Sequence, residues 1–193
     1  MKPKYKIISK NNLYSGFFSL NKYEFTHQKH DGSWSNKIER EIFGGAEVST
    51  LLPYDPIKNE IVLIQQFRAG VISRYDKKYL YEIVAGIIDE GENPKETAIR
   101  ECLEETGCAV NQVIPIQSYF PAPGSSESYY HLFLGEINSL DGKRIKGLEN
   151  ENEDILVQSF KVEDVRIMLK EKKIINGLTL VALQWFFLHY YKG

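Results

Sequence analysis

Residues 86–108 read GIIDEGENPKETAIRECLEETGC. Within this stretch Asn93 suits a helix N-cap, Pro94 the first helical position, and Glu96 the third, where a negative charge favours the helix N-terminus. Gly107 follows the last periodic residue and reads as the C-terminal stop. The pattern predicts a helix from about Pro94 to Thr106. At 100° per residue, Ala98, Ile99, Cys102 and Leu103 form an apolar stripe expected to face the core. Glu101, Glu104 and Glu105 gather on another face, where like charges repel by a few tenths of a kcal/mol per pair. A hard divalent cation reverses that sign, because carboxylate oxygens are the ligands Mg²⁺ and Ca²⁺ prefer. Taken alone, three such glutamates also describe an ordinary solvated face.

The longer pattern resolves this ambiguity. Gly86, five residues, Glu92, seven residues, and then Arg100-Glu101-Cys102-Leu103-Glu104-Glu105-Thr106-Gly107-Cys108 resembles the Nudix box without a gap. Cys102 and Cys108 stand where a larger aliphatic is usual, and cysteine packs as a small hydrophobe.

The chain has 193 residues, enough for one core with an appendage. A net charge of −2 leaves no electrostatic footprint for nucleic acid or an anionic membrane. Met1–Lys10 lacks an apolar signal region, and the apolar run near Leu178–Leu188 is too short to span a bilayer. The two cysteines lie on or beside one helix and make a poor disulfide pair, so a reducing, cytoplasmic setting is expected.

Residues 1–45 read as antiparallel β-structure. Tyr23, Phe25 and His27 alternate with polar residues, His30-Asp31-Gly32-Ser33 is a turn signal, and Lys37–Phe43 is the returning strand. Such a piece is marginal alone and should pack on its own catalytic domain or a second subunit. Residues 46–193 form the second expected domain. Strands are predicted at Glu47–Tyr54, Ile61–Ile64 (continuing through Gln66-Phe67-Arg68), Tyr81–Ala85, Val113–Phe120, Ser128–Leu134 and Ile155–Phe160. The polar stretch Lys143–Asp154 reads as a mobile surface loop. Val162–Lys172 and Leu178–Tyr191 read as helices, the second apolar nearly all round and expected to be buried.

Within the Nudix family the chain looks most like the ADP-ribose pyrophosphatases, nearly end to end. Pro123, sixteen residues after Gly107, matches the proline that marks this branch. So do the stretches GFFSL (16–20), LLPYDP (51–56), VAG (84–86), APGSSE (122–127), GLENENEDI (147–155) and LVALQW (180–185). The resemblance implies an α+β fold: an α/β/α sandwich on a mixed sheet, plus an N-terminal antiparallel β-domain exchanged in a homodimer. It implies Mg²⁺, with Mn²⁺ as a substitute, held by the Ala85 carbonyl, Glu101, Glu105 and Glu153, and Glu151 as catalytic base. Gly86, Glu92, Arg100 and Glu104 support the box. Adenine is expected near Phe17 and Phe18 and by Arg40 and Glu41, with Arg68 on the phosphates or ribose. Ile87 is expected to line the site, and Glu127 to come from the partner subunit. Gly45 and Ala122 depart from the branch, standing where a basic residue and a serine can occur.

The expected activity is Mg²⁺-dependent hydrolysis of ADP-ribose to AMP and ribose 5-phosphate. The alternatives are hydrolysis of GDP-mannose or another nucleoside diphosphate sugar, and a non-catalytic ADP-ribose-binding regulator. The last tends to lose the box glutamates, which are complete here.

Overall fold

Strand alternation organises the N-terminal residues. In a computed structural model that describes residues 4–76, 78–138, 142–147 and 153–193, β1 (Tyr5–Ser15), β2 (Ser19–His27) and β3 (Ile38–Phe43) form an antiparallel sheet in the order β1-β2-β3. The expected turn after β2 is built on Asp31, whose carboxylate accepts hydrogen bonds from the Ser33 N–H (2.9 Å) and hydroxyl (2.6 Å). Gly32 supplies the left-handed φ of +84° there. The chain divides into two compact units, Met1–Glu47 with Tyr119–Tyr129, and Val48–Ser118 with Tyr130–Gly193. In the first unit the 121–127 segment is tied to β3: Phe43 N–H donates to Ser125 O, and Glu127 N–H to Phe43 O. Gly45 has no room for a side chain, since a Cβ there would sit 2.0 Å from the Ser128 nitrogen.

The second unit is built on β4 (Glu47–Asp55), β5 (Glu60–Phe67), β6 (Tyr79–Glu82), β7 (Val84–Ile87), β8 (Val110–Tyr119), β9 (Tyr129–Ile137), β10 (Lys143–Lys146) and β11 (Ile155–Lys161). Its sheet runs β10-β11-β5-β4-β9-β8, with β6 paired to β5 and β7 to β4. Three helices accompany it: α1 (Pro94–Thr106), α2 (Val162–Lys170) and α3 (Gly177–Trp185), the last extended by a π-type turn at Phe186–Tyr190. Alternation along the strands gives both sheet faces a core, as a sandwich requires. Leu51, Val62, Ile64, Val84, Ile155 and Val157 pack with Ala98 and Cys102 of α1. On the opposite face, Tyr54 meets Phe186 edge-on with ring centroids 4.9 Å apart, and Thr179 Oγ1 of α3 accepts from the Ile83 N–H. Among the described residues no helix is long and apolar enough to cross a membrane.

Helix α1 has the predicted boundaries. Asn93 Oδ1 accepts from the N–H groups of Lys95 and Glu96 at 3.1 Å each, Glu96 returns a bond to the Asn93 N–H, and Gly107 closes the helix at φ +74°.

Four sequence expectations need correction. The buried face of α1 is Thr97, Ala98, Cys102, Glu105 and Thr106, whereas Ile99 and Leu103 are exposed (37% and 55%). The helix is rotated so that its acidic edge, rather than part of its apolar stripe, lies against the sheet. Lys143–Lys146 is not loop but an edge strand, paired antiparallel with β11 while all four side chains stay in solvent. Its backbone pairing needs no apolar pattern, so none was visible. Tyr81–Ala85 is split at Ile83, because β6 and β7 pair with different strands. The last helix is buried on one side only: Thr179, Ala182, Leu183 and Phe186 are inside, while Val181 and Leu188 are exposed.

Candidate active site

The acidic edge of α1 rests on β7, and glycine makes the approach possible. A Cβ on Gly86 would lie 1.9 Å from Glu101 Oε1 and 2.4 Å from its Cγ. Gly86 pairs with Ser49 in the β4–β7 ladder, so its position is fixed by the sheet. The Ser49 hydroxyl in turn donates to the Pro94 carbonyl and anchors the start of the helix. One residue earlier, the Ala85 N–H donates to Glu105 Oε2 at 3.3 Å.

Arg100 organises the surrounding carboxylates. Its Nε and Nη2 grip Glu92 at 2.9 and 3.0 Å, and Nη1 reaches Glu101 and Glu104, both at 2.9 Å. Buried Thr97 adds a hydroxyl bond to Glu92 at 2.8 Å. The Arg100 fork, with Thr97, holds the Glu92 carboxyl down at about 2. Glu104 is thus paired with the same arginine nitrogen as Glu101.

Glu101 and Glu105 behave differently. Burial pushes the Glu101 carboxyl up despite the Arg100 ion pair, with the Glu104 and Glu153 charges adding to the rise. Glu105 is only 4% exposed. Burial, then the charges of Glu101 and Glu153, hold its carboxyl well above the usual range, against the Ala85 N–H and Arg68.

Strand parity delivers the other groups. Val62, Ile64, Gln66 and Arg68 follow one another on the α1-facing side of β5 and just beyond it. Gln66 is paired with Ile155 across the sheet, and Glu153, two residues before Ile155, accepts from Gln66 Nε2 at 3.2 Å. Arg68 is clamped by Glu82, with Nε 3.0 and 3.1 Å from the two oxygens and Nη2 2.8 Å from one. Burial opposes its charge, but Glu82, backed by Glu105 and Glu153, more than offsets this and raises its pKa.

The donor set fits a hard divalent cation. Three carboxylates that raise, or are raised by, one another are relieved by positive charge, and the buried Gln66 Oε1 has no hydrogen-bond partner among the described residues. No three such ligands are already drawn together among the described residues, so closing on a cation requires the side chains to turn inward.

Residues 47–180 match the NUDIX domain family. The chain belongs to the Nudix family. It is 38% identical over 185 residues to an ADP-ribose pyrophosphatase of Escherichia coli, covering 96% of this chain and 88% of that one. It is 35% identical over 188 residues to an ADP-ribose pyrophosphatase of Haemophilus influenzae, covering 96% and 87%. A GDP-mannose pyrophosphatase of Pectobacterium atrosepticum is 29% identical over 180 residues, covering 92% and 91%. The fold is similar to a crystal structure of an ADP compounds hydrolase, with a TM-score of 0.70 at 17% identity over 95% of this chain and 94% of that one.

In this Nudix chain the second unit brings together Ala85, Gly86, Glu92, Arg100, Glu101, Glu104, Glu105, Arg68 and Glu153. Ile87 ends β7, 44% exposed. Glu151 lies outside the described residues. The first unit carries Phe17 and Phe18 at the tip of the β1–β2 hairpin, ring against ring at 4.8 Å, and both exposed. Arg40 and Glu127 line one cavity of about 620 Å³ with Tyr5, Ile7, Phe25 and Phe120, and Glu127 accepts from the Tyr23 hydroxyl. Glu41, next to Arg40 on β3, points to the other side of the strand. Two groups were missed from sequence, Gln66 and Glu82. The signal available for Glu82 was a single acid inside the apolar run Leu80–Val84, and Glu82 is indeed buried.

Proposed function

We infer that this protein is a divalent-metal-dependent pyrophosphohydrolase that splits ADP-ribose into AMP and ribose 5-phosphate. The observation that carries this reading is the buried acidic edge of α1 over Gly86, in a chain 38% identical to a protein named ADP-ribose pyrophosphatase. Glu101, Glu105, Glu153 and the Ala85 carbonyl would hold Mg²⁺ or Mn²⁺, which supplies charge neutralisation on the diphosphate and a lowered pKa for bound water.

The chain's own groups divide the remaining work. Glu151 takes the proton of the attacking water. The water oxygen bonds to one phosphorus, the bond from that phosphorus to the bridging oxygen breaks, and the other phosphate leaves. Arg100 keeps Glu101 from swinging away from Gly86, through its 2.9 Å bond. Arg68 spends Nε and Nη2 on Glu82, which leaves Nη1, among the described contacts, for a phosphate or ribose oxygen. Phe17 and Phe18 stack on adenine, Arg40 reads its edge with Glu41 beside it on the strand, and Ile87 lines the site.

The active form is a homodimer with exchanged N-terminal β-domains, residues 1–45, which places Glu127 in the partner's site, with residues 46–193 as the catalytic domain. Exposed Tyr5, Ile7 and Phe120 around the first unit's cavity support a covered rather than a solvated face. The setting is cytoplasmic, in keeping with two buried free thiols.

Hydrolysis of GDP-mannose is the second reading, supported by the relative at 29% identity. Incubation with Mg²⁺ and a panel of nucleoside diphosphate sugars, with product identification, tests both. AMP and ribose 5-phosphate from ADP-ribose as the preferred reaction is expected. A higher kcat/KM for GDP-mannose, giving GMP and mannose 1-phosphate, would replace the first reading with the second.

A further inference from the structure

We propose that Gln66 is a positioning residue of the metal cradle, holding Glu153 with its amide N–H and offering its carbonyl oxygen to the hydration shell of the cation. The inference rests on the metal-dependent reading above and adds a residue to it.

The orientation of the amide is determined by its neighbour. Gln66 Nε2 lies 3.2 Å from Glu153 Oε1, and a carboxylate only accepts, so the flipped amide would set oxygen against oxygen. That leaves Gln66 Oε1 buried and without a hydrogen-bond partner among the described residues. An acceptor left in this state is costly, so in a native protein it calls for a reason. Parity supplies one. Gln66 shares the α1-facing side of β5 with Ile64, and its ladder partner Ile155 belongs to the same core as Ala98 and Cys102. Its amide is therefore presented on the side of the sheet where Glu101 and Glu105 lie. A hard cation that keeps part of its water shell needs acceptors for the outward-pointing water hydrogens. A neutral carbonyl serves there without adding to the charge already crowded on Glu101, Glu105 and Glu153. The donor half of the same amide fixes Glu153 at the point where the chain emerges from residues 148–152 and enters β11.

Three measurements on purified protein test this: Mn²⁺ affinity by isothermal titration, metal-free thermal midpoint, and Mg²⁺ dependence of turnover. Gln66→Met removes both polar atoms at similar volume, and Gln66→Asn keeps an amide that is one methylene short. In both, Mn²⁺ affinity should fall about 10–100-fold, the range for groups that orient metal ligands. The metal-free thermal midpoint should hold, because a buried unpartnered acceptor is removed or relaxed. In a Glu153→Gln background the effect of Gln66→Met on Mn²⁺ affinity should shrink, since the two residues act through one contact. Wild-type Mn²⁺ affinity in both variants overturns the proposal while leaving the metal-dependent reading intact. A fall in thermal midpoint and in kcat with unchanged Mn²⁺ affinity assigns Gln66 a structural role and also overturns it. A wild-type protein that binds no Mn²⁺ removes the metal-dependent reading itself.

Discussion

Gly86→Ala tests the site through space alone. Gly86 does not occupy the left-handed region, so an alanine there brings no backbone strain, only a methyl group. That methyl would lie 1.9 Å from Glu101 Oε1, 2.0 Å from its Cδ and 2.4 Å from its Cγ. Ordinary contact begins near 3.4 Å, so the carboxylate must retreat by about 1.5 Å. The β-ladder to Ser49 prevents the strand from moving instead, so the side chain yields and its 2.9 Å bond to Arg100 is lost. Overpacking of this kind costs about 1–3 kcal/mol, and a flexible glutamate places the cost near the lower end. For a chain of this length that is a thermal shift of about 2–4 °C per kcal/mol. The catalytic loss should be far larger, because displacement of a catalytic group by ~1 Å costs on the order of 10²-fold. Steady-state kinetics across a Mg²⁺ titration, beside a thermal melt, should show kcat down at least a hundredfold on a protein that remains folded. Wild-type kcat and wild-type Mg²⁺ dependence would refute the claim that Glu101 works from its seat against Gly86.

Glu105→Gln should nearly abolish turnover and leave the fold intact, and retention of wild-type kcat at saturating Mg²⁺ would remove Glu105 from the metal set. In metal-free protein the same substitution has a pH signature. The folded-state pKa of Glu105 lies above its unfolded value of about 4.3, so the wild-type fold keeps a proton that the unfolded chain releases. Wild-type stability should therefore fall, relative to Glu105→Gln, as pH rises from about 4.3 towards the raised folded pKa. Denaturation with a chelator present at several pH values checks this, and a pH-independent difference would count against it. Mixing a Phe17→Ala/Phe18→Ala chain with a Glu105→Gln chain, each inactive alone, should restore activity if subunits share sites; a strictly monomeric protein would sink the exchanged dimer. Glu151→Gln should lower kcat by about 10²–10⁴ with little change in metal affinity, as for a lost general base, whereas Glu153→Gln should raise the Mg²⁺ needed for half-maximal activity. Swapped phenotypes would mean the two roles are reversed.

What could be read from sequence was whatever rested on local chemistry. Asn93, Pro94, Glu96 and Gly107 specify the ends of α1 by hydrogen bonds within one turn, and both ends agree with the structure. The helix wheel located the acidic face but not its rotation. Ile99 and Leu103 are as apolar as any core residue, and only the packing of α1 against β7 turns them outward and Glu105 inward. Gln66 was illegible, and Glu82 marked only as an acid in an apolar run, for a related reason. Their roles come from cross-strand neighbours, Ile155 for Gln66 and Ile64 for Glu82, which are far away in the chain. Edge strand β10 left no trace, because its backbone alone takes part in the sheet.

The distribution of charge explains how so acidic a site stays folded before any ligand arrives. Arg100 satisfies Glu92, Glu101 and Glu104 from one guanidinium, and Arg68 satisfies Glu82. Neither arginine reaches Glu105 by a hydrogen bond among the described contacts. The buried carboxyl is opposed only by the Ala85 N–H and by the more distant charge of Arg68. The compensated acids are those that shape the site, Glu92, Glu104 and Glu82. The uncompensated excess falls on Glu105, whereas Glu101, one turn away, is held by Arg100 but still pushed up by burial. A fold selected for stability alone would have placed an apolar residue at position 105, beside Cys102 and Thr106. A carboxylate held there is destabilising on its own, and the cation proposed above would relieve that cost on binding, so that metal affinity and stability would be linked.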